Sequence, residues 1–429
     1  MNPRFWATVL LLSLIALGSL WAPRRLAVGQ SGPIAWVELG PEGSAVARLM
    51  TPEPSCPSIT YATGDVPMQP RGAPSQDYPM LVCEAAVPPD TDSASVSGIS
   101  LPVPSPHPGR ILVLGDTGCR LKLEVSHEAV QACNDQRAWP VEMIAASATA
   151  WKPDLIVHVG DYLYREAPCP SDNEGCAGSP WGYNWASWNA DFFTPEAPLL
   201  RSAPWVFVRG DHELCERAGE GWFRLLDPRP LTPGCQEYSE PYAVRTGGLN
   251  LLMLDSANAD DYQAVPDEVT TYVGQFDQLT SLAVPSSLLL THRPVWAFGH
   301  LGNRDGVEQL FRDNPTLQAA SQNFPAAVEL VLFGHIHLFQ SLSFAGSHPA
   351  QLIVGNGGTA LDPNITSPLN GLQIADATVQ GGAVIDEFGY MTLEPGASGW
   401  VGTLRDVAGN PILDCSIAPA TVQCSPAGT

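Results

Sequence analysis

Short apolar runs alternate with longer segments of mixed polarity through the middle of the chain, from residue 110 onward. Two of the intervening segments, 137–151 and 267–282, carry apolar residues at helical spacing and predict helices. The alternation is typical of an α/β domain whose strands are buried on both faces. The runs that predict strands are 111–114, 155–159, 205–208, 251–254, 288–290 and 330–333.

The two ends of the chain show a different pattern. Residues 31–105 are rich in Pro, Ser, Thr and Gly, and short runs such as 34–39 alternate between apolar and polar positions. They lack helical periodicity and predict a small β-sandwich. Near the other end, 389–393, 400–406 and 411–417 read as strands. These strands predict a second sheet that packs on the first.

We therefore predict an α/β fold, an α+β sandwich in which two mixed β-sheets are flanked by helices and preceded by a small N-terminal β-sandwich. The predicted divisions are a signal peptide or signal anchor at 1–29, the β-sandwich at 30–105, a catalytic domain at 106–417 and a C-terminal tail at 418–429. A proline-rich connector at 101–110 separates the β-sandwich from the catalytic domain.

The N-terminus has the features of an export signal. Arg4 precedes an apolar stretch that runs from Phe5 to Ala22. This arrangement is typical of a secretory signal, with cleavage expected near 27–29. The stretch is also long enough to serve as a retained membrane anchor. We expect the protein to be exported to the periplasm or the extracellular space, either free or anchored through this segment.

Ten cysteines are scattered through the chain, and none forms a CxxC pair. In an exported protein this pattern favours disulfides over zinc ligands. Sequence does not fix the connectivity, and pairing of neighbours along the chain is our working expectation. The expected pairs are Cys56–Cys83, Cys119–Cys133, Cys169–Cys176, Cys215–Cys235 and Cys415–Cys424.

The charge balance narrows the class of partner. The chain has 21 Lys and Arg against 44 Asp and Glu, a formal net charge of −23. Such a surface repels nucleic acid and anionic membranes, so we expect neither a nucleic-acid polymer nor a membrane surface as a partner. An anionic small molecule needs a local positive site on this chain. The oligomeric state is left open.

Five of the predicted strands are followed by a carboxylate or an imidazole, often after a glycine. In α/β sheets, ligands bind beyond the carboxyl ends of the strands, so these groups should converge on one crevice. They are Asp116, Asp161, Asp211 with His212, His292, and His335 with His337; Tyr164 follows Asp161 by three positions.

This set has too many ligands for one tetrahedral ion. Three aspartates, three histidines and Tyr164 suit two metal ions about 3.5–4 Å apart that share a bridging carboxylate. A single Gly-Asp at a strand end is usually no more than a turn. The ordered series of five strand ends, closed by the Gly-His-Ile-His sequence at 334–337, predicts a two-metal site.

The ordered motifs resemble those of the calcineurin-like metallophosphoesterase superfamily, and most closely its purple acid phosphatase branch. The pattern of that branch is GDxG, GDxxY, GNH(D/E), a histidine loop and GHxH, and it covers roughly residues 110–360 of this chain. The N-terminal β-sandwich also resembles the first domain of that branch.

The resemblance implies a role for each residue of the first metal. Asp116 matches the aspartate of GDxG, and Tyr164 matches the phenolate that binds ferric iron. His337, the second histidine of GHxH, completes this site. Asp161 matches the carboxylate that bridges the two ions.

The resemblance also implies the second metal and the acid. Asp211, His292 and His335 match the ligands of the second ion. His212 matches the histidine that contacts the phosphate and protonates the leaving group. Glu213 would orient the imidazole of His212.

The implied cofactors are Fe(III) in the first position and Zn, Fe(II) or Mn in the second. Phenolate and carboxylate oxygens suit the ferric ion, and imidazoles suit the divalent one. The predicted function is that of an acid phosphatase-like phosphomonoesterase, in which a metal-bound hydroxide attacks a small phosphate ester. A phosphodiesterase or nucleotidase of the same superfamily is the alternative. A non-catalytic surface protein stabilised by metal is the alternative from another class.

Three features depart from the family pattern or leave alternatives open. Asp211 stands where the pattern has asparagine, so the site carries one more negative charge. This favours monoanionic diesters over dianionic monoesters, unless Asp211 ligates as asparagine does. Arg293, next to His292, is predicted either to contact substrate phosphate or to form a surface salt bridge. Arg217 either adds positive field or balances Glu216.

The segment that follows Tyr164 contains a second open question. Residues 165–188 hold two cysteines and several aromatic residues, including Trp181 and Tyr183. They either form an aromatic wall for a flat leaving group or pack into the core. Among the other histidines, His300 is a weaker candidate ligand, and His158 is predicted to be a packed strand residue.

Overall fold

The structure is a computed structural model that describes residues 32–122 and 130–428. The predicted export signal at 1–29 lies outside the described residues. The chain from Gly32 onward forms one compact unit.

The described residues form strands of two to nine residues and six α-helices. The strands are β1 (Ile34–Leu39), β2 (Ala45–Thr51), β3 (Ser58–Tyr61), β4 (Gly64–Pro67), β5 (Gln69–Gly72), β6 (Leu81–Val87), β7 (Ala94–Val96), β8 (Ile99–Leu101), β9 (Ile111–Leu114), β10 (Leu155–His158), β11 (Trp205–Phe207), β12 (Tyr242–Thr246), β13 (Leu249–Met253), β14 (Ser287–Leu290), β15 (Ala297–Arg304), β16 (Val307–Asp313), β17 (Val328–Phe333), β18 (Phe339–Phe344), β19 (Ala350–Val354), β20 (Gln373–Ile374), β21 (Ala377–Ile385), β22 (Gly389–Gly396), β23 (Gly399–Asp406), β24 (Pro411–Ala418) and β25 (Thr421–Pro426). The helices are α1 (Val141–Trp151), α2 (Trp185–Trp188), α3 (Ala197–Leu200), α4 (Gly219–Leu225), α5 (Pro266–Leu282) and α6 (Pro315–Ala320).

Two mixed sheets form the centre of the molecule, but the prediction that the strands near the end of the chain form the second sheet is wrong. Strand β22 pairs with β9, so β22, β23 and β24 extend the larger sheet, and the second sheet is built from strands between β12 and β21. The larger has the order β25-β24-β23-β22-β9-β10-β11-β1-β2-β6-β5, and the smaller has the order β12-β13-β14-β17-β19-β18-β21-β20. Strands β9, β10 and β11 are parallel to one another, and so are β13, β14, β17 and β19. The faces of the two sheets that meet share one apolar core, formed mainly by Val, Leu and Ile side chains. Helices cover the opposite faces, so the central strands are buried on both sides.

Helices cover the outer faces of both sheets. Ile144 and Ala148 of α1 pack with the side chains of β9, β10 and β11, and Tyr272, Phe276 and Leu279 of α5 pack with those of β13, β14 and β17. The predicted helices and the predicted fold class are therefore confirmed.

The first strands of the chain are continuous with the rest of the fold. Strand β1 pairs in parallel with β11, so β1, β2, β6 and β5 extend the larger sheet. Strands β3, β4, β7 and β8 form a separate sheet that packs on them through a second apolar core. The domain boundaries near residues 30, 105 and 417 stay predictions.

A buried ion pair ties the first strands to the loop after α4. Arg48 lies 2.9 Å from the carboxylate of Glu38, and both side chains are buried. The guanidinium also donates hydrogen bonds to the carbonyl oxygens of Leu225 (2.7 Å) and Asp227 (2.5 Å). These contacts satisfy a charge that would otherwise be costly to bury.

All ten cysteines form disulfides, and the five pairs are those expected from the order of the cysteines along the chain. Five disulfides indicate an oxidising compartment such as the cell exterior. Among the described helices, none is long and apolar enough to cross a membrane.

Candidate metal centre

The strand ends singled out in the sequence meet where the two sheets face each other. Asp116, Asp161 and Asp211 follow β9, β10 and β11 of the larger sheet. His292 and His335 follow β14 and β17 of the smaller one. Because the carboxyl ends of parallel strands lie at one edge, residues far apart in sequence come within hydrogen-bonding distance.

Tight backbone turns place these side chains. Asp116, Asp161 and His335 have left-handed backbones, with φ of 57°, 61° and 71°. Asp and His tolerate this region better than most residues do. Close approach also demands glycine: a Cβ on Gly160 would lie 2.4 Å from Nδ1 of His292, and a Cβ on Gly210 would lie 2.1 Å from Oδ1 of Asp161. The glycines let two loops and a histidine ring share one small volume.

The first group of donors surrounds the hydroxyl of Tyr164. Its oxygen lies 2.6 Å from Oδ2 of Asp161, 3.1 Å from Oδ1 of Asp116 and 3.0 Å from Nε2 of His337. All four side chains are buried. Burial and the two carboxylates raise the pKa of Tyr164 well above its usual value, so a strongly charged cation is needed to ionise the phenol.

The second group gathers around Oδ1 of Asp211. This oxygen lies 3.2 Å from Nε2 of His292 and 3.0 Å from Nδ1 of His335. The ring of His292 also approaches Asp161, with 3.3 Å between Nε2 and Oδ2. Asp161 therefore contacts both groups, which is the position that a bridging carboxylate needs.

The tautomer of His292 shows that this donor set fits a cation. Its Nδ1 lies 2.8 Å from the carbonyl oxygen of Val159, which can only accept, so Nδ1 carries the proton. Nε2 then faces the carboxylates of Asp161 and Asp211, an arrangement that needs a positive charge between them. Burial opposes a charge on this ring, but the two carboxylates raise the pKa of His292 well above its usual value. A metal ion can take the place of that proton.

Two groups of residues could each hold a metal ion, because within each group the donor atoms lie within 4.8 Å of one another. One group is Asp116, Asp161 and His337, and the other is Asp211, His292 and His335. Six of the seven residues named as ligands from the sequence fall in these two groups. The seventh, Tyr164, lies inside the first group.

His212 lies beside the first group with its ring over that of Tyr164, and the ring centroids are 3.7 Å apart. Its backbone N–H donates to Oδ1 of Asp161 (2.9 Å). Its Nδ1 lies 3.1 Å from the carbonyl oxygen of Leu163 and 3.3 Å from Oε1 of Glu166. With Nδ1 held by two acceptors, Nε2 is directed toward the space between the two metal groups, 3.9 Å from Oδ2 of Asp161.

The predicted contact between Glu213 and the imidazole of His212 is wrong. The buried carboxylate of Glu213 turns toward the backbone and accepts four N–H groups at 3.0–3.3 Å, those of Gly210, Asp161, Tyr162 and Leu163. Four converging N–H donors hold a carboxylate better than one imidazole does. Glu213 therefore shapes the loop that carries Asp161, and Glu166 contacts the histidine.

Two arginines contact the outer oxygen of Asp211. Nη1 of Arg217 lies 2.8 Å from Oδ2 of Asp211, and Nη2 of Arg293 lies 3.4 Å from it. Arg217 also binds Glu166 through Nε (2.7 Å) and Nη2 (2.5 Å). Arg293 also binds Asp261. Arg217 was predicted either to add positive field or to balance Glu216, but its carboxylate partners are Asp211 and Glu166. Contact of Arg217 or Arg293 with substrate stays a prediction.

Several residues of the site were missed from the sequence. Glu166 follows Tyr164 by two positions, so its place after the GDxxY motif was an available signal. Asp261 contacts His335, while Asp362 and Arg120 contact His337. These three lie in irregular segments with no pattern that marks them.

The aromatic residues of the segment at 165–188 were predicted either to pack into the core or to form a wall of the site, and the structure shows some of them buried and others exposed. Trp188 is fully buried in the core beneath the larger sheet, whereas Trp181 is 53% exposed and Tyr183 is 37% exposed. The hydroxyl of Tyr183 lies 3.4 Å from Oε1 of Glu166, which places this ring at the rim of the site.

Two other histidines considered in the sequence, His158 and His300, belong to neither group. His158 is a buried strand residue stacked on Tyr162, as predicted. His300 lies in β15 and pairs with Glu308. His127 lies outside the described residues.

Comparison with known proteins agrees with this geometry. Purple acid phosphatase 23 of Arabidopsis thaliana is 21% identical over 297 residues, which are 64% of this chain and 58% of that protein, so the chain spans somewhat over half the length of this relative. The solved structure "Structure of PhoD" superposes with a TM-score of 0.56 at 13% identity and covers 93% of this chain and 92% of its own, which shows a shared fold. Residues 109–339 match the model of the calcineurin-like phosphoesterase family. This match takes in more than half of the chain, which therefore belongs to the calcineurin-like phosphoesterase family.

Proposed function

We propose that this phosphoesterase is an exported acid phosphatase-like enzyme that hydrolyses small phosphate monoesters with two metal ions. The observation that carries the proposal is the position of Asp161. One oxygen of its carboxylate contacts both Tyr164 of the first group and His292 of the second. A carboxylate shared in this way is what two adjacent metal ions require.

The donor chemistry suggests a different ion for each group. Asp116, Asp161, Tyr164 and His337 would hold Fe(III), because phenolate and carboxylate oxygens are hard ligands that suit this ion. Asp211, His292 and His335, with Asp161 shared, would hold Zn, Fe(II) or Mn. When bound, two such ions stabilise charge on phosphoryl oxygens and make water a nucleophile near neutral pH.

The visible spectrum tests the ferric assignment. Wild type should show a phenolate-to-iron charge-transfer band that is absent from Tyr164→Phe. A colourless, metal-loaded and active wild type would contradict Fe(III) and indicate divalent ions in both positions.

The protein supplies the proton. His212 has Nδ1 bound to Leu163 and Glu166, which leaves Nε2 directed toward the shared space beside Asp161. We infer that Nε2–H donates to the oxygen of the leaving alcohol, and that the contacts of Nδ1 with Leu163 and Glu166 hold the ring in the orientation this donation needs. The packing of His212 on the ring of Tyr164 fixes its orientation.

A phosphodiesterase or nucleotidase is the second candidate, and the charges around Asp211 favour it. Oδ2 of Asp211 lies in a cluster with Glu166 and Asp261, and in the described part of the chain two arginines, Arg217 and Arg293, pair with these three carboxylates. The remaining negative charge opposes a dianionic monoester more than a monoanionic diester.

A hydrolysis assay with three substrate classes tests the proposal: an aryl monoester, an aryl diester and nucleotides. We expect the monoester to be hydrolysed fastest, and Asp161→Ala to remove all turnover because it takes away the shared carboxylate. Faster diester or nucleotide turnover would favour the second candidate. A protein that binds both metals and hydrolyses none of the three would be a non-catalytic, metal-stabilised surface protein.

A further inference from the structure

Asp261 is a carboxylate near the second metal group that no motif marks. It lies in the loop between β13 and α5, and its side chain is 12% exposed. Its Oδ2 lies 3.1 Å from Nε2 of His335, and its Oδ1 accepts a hydrogen bond from Nδ2 of Asn314 at 2.8 Å. Arg293 also contacts it through Nη1. Asp261 is therefore held from two sides against the far edge of the His335 ring.

The two nitrogens of His335 face two different carboxylates. Nδ1 points to Oδ1 of Asp211 at 3.0 Å, and Nε2 points to Oδ2 of Asp261 at 3.1 Å, closer than Nη1 of Arg293 at 3.4 Å. When Nε2–H donates to Asp261, the lone pair of Nδ1 is left facing the second metal group. A carboxylate that accepts the other ring N–H is the usual partner of a metal-bound histidine, because it fixes the tautomer and makes the ligand more basic.

Arg293 closes these contacts into a ring. Its Nη1 binds Asp261 and its Nη2 lies 3.4 Å from Oδ2 of Asp211, while the other oxygen of Asp211 faces His335. This closed chain of contacts runs from Asp211 to His335, then to Asp261 and Arg293, and back to Asp211. It braces two of the three residues of the second group from the outside.

We propose that Asp261 is a positioning residue that orients His335 toward the second metal ion. This inference rests on the proposed two-metal function. Asp261 contacts His335 directly and reaches Asp211 through Arg293, so its loss should weaken the second metal and spare the first, whose donors it does not touch.

Direct ligation by Asp261 is the competing explanation. Oxygen atoms of Asp261 and Asp313 and a nitrogen of His335 also lie within 4.8 Å of one another. Within the described part of the chain, neither oxygen of the fully buried Asp313 has a hydrogen-bond partner. However, the Asp261 carboxylate already binds Arg293 and Asn314. Direct ligation would also require His335 to bind two ions at once, one through Nε2 and the other through Nδ1.

Metal binding by full-length Asp261→Ala and Asp261→Asn tests the proposal. The metal content and the affinity for Zn²⁺ or Mn²⁺ are measured on disulfide-intact protein after chelation and reloading. Asp267→Ala, which removes an exposed carboxylate in the first turn of α5, is the matched control. Thermal unfolding of the metal-free proteins checks that the variants fold.

We expect Asp261→Ala to lower the affinity of the second metal by roughly 10–100-fold and to leave the first unchanged. Asp261→Asn should show an intermediate loss, since its amide oxygen still accepts the N–H of His335. The proposal would be overturned if Asp261→Ala bound the second metal as tightly as wild type does. It would also be overturned if wild type bound a third ion that Asp261→Ala loses. If wild type binds no pair of metals, the proposed function itself fails.

Discussion

Replacing Glu213 separates the two roles considered for this residue. A group that orients His212 would change activity and leave stability almost untouched. In the structure, the carboxylate instead accepts four backbone N–H groups, at 3.0 Å from Tyr162, 3.1 Å from Gly210, 3.2 Å from Asp161 and 3.3 Å from Leu163. We therefore predict that the main effect of its replacement is on the free energy of unfolding.

The size of the effect follows from the number of donors left without an acceptor. A buried N–H without a partner costs about 1–3 kcal/mol. We use the lower value of about 1 kcal/mol per N–H group, because water can enter the space left by the side chain. Glu213→Ala leaves four N–H groups without an acceptor and should therefore lower the free energy of unfolding by about 4 kcal/mol. Glu213→Gln keeps one oxygen for Tyr162 and Leu163 but turns its amide toward the N–H groups of Gly210 and Asp161, so about 2 kcal/mol should be lost.

Urea unfolding of the metal-free, disulfide-intact protein measures these values directly. Glu216→Gln, at an exposed position three residues further along the chain, is the control and should match wild type. The expected order of stability is wild type, then Glu213→Gln, then Glu213→Ala. If Glu213→Ala were as stable as wild type and had lost only activity, the structural role would be refuted and the orienting role restored.

Three further predictions concern charge. Asp211→Asn removes one negative charge and should raise the ratio of aryl monoester to aryl diester turnover roughly tenfold, or about 1.4 kcal/mol of preference; an unchanged ratio would contradict the charge argument. Burial raises the pKa of Glu196 to about 8, so the folded state keeps a proton that the unfolded chain releases above its ordinary value of 4.5. Stability should therefore fall by about 1.4 kcal/mol per pH unit as the pH rises from roughly 5 to 8, and urea unfolding of Glu196→Gln should lack this part of the slope; an identical slope would show that Glu196 is not the source. Arg48→Met leaves Glu38 buried and unpaired and should lower the unfolding free energy by about 3–5 kcal/mol; part of this should return in the double variant Glu38→Leu with Arg48→Met, which removes the unpaired charge but still leaves the carbonyl of Leu225 without its donor, and a loss below about 1 kcal/mol in the single variant would refute the prediction.

The fold was predictable because its strands are short, apolar and buried on both faces. Such runs are distinct from the helical spacing of 137–151 and 267–282, and the structure places strands or helices at each of these segments. The continuity of β1 with β11 was not predictable, since pairing of distant strands leaves no local mark on the sequence.

The residues that gather at the strand ends were predictable for the same physical reason. Parallel strands bring their carboxyl ends to one edge, so Asp116 and His335 meet although 219 positions separate them. The contacts that orient these residues were not predictable. Asp261 and Asp362 lie in irregular loops, and which oxygen faces which imidazole depends on the folded path of those loops.

The error over Glu213 has a similar cause. Its neighbour in sequence is His212, but a short helical turn at Asp211–Glu213 directs the two side chains apart. The carboxylate then meets the N–H groups of the loop that follows β10, 50 to 52 positions earlier in the chain.

The number of metal ions bound to each chain tests the central claim most directly. Elemental analysis of purified, dialysed protein should give two ions per chain for wild type. Asp161→Ala, which removes the carboxylate shared by both groups, should bind fewer than two under the same conditions. A wild type that retains one ion or none, or an Asp161→Ala protein that still retains two, would contradict a centre in which Asp161 joins two metals.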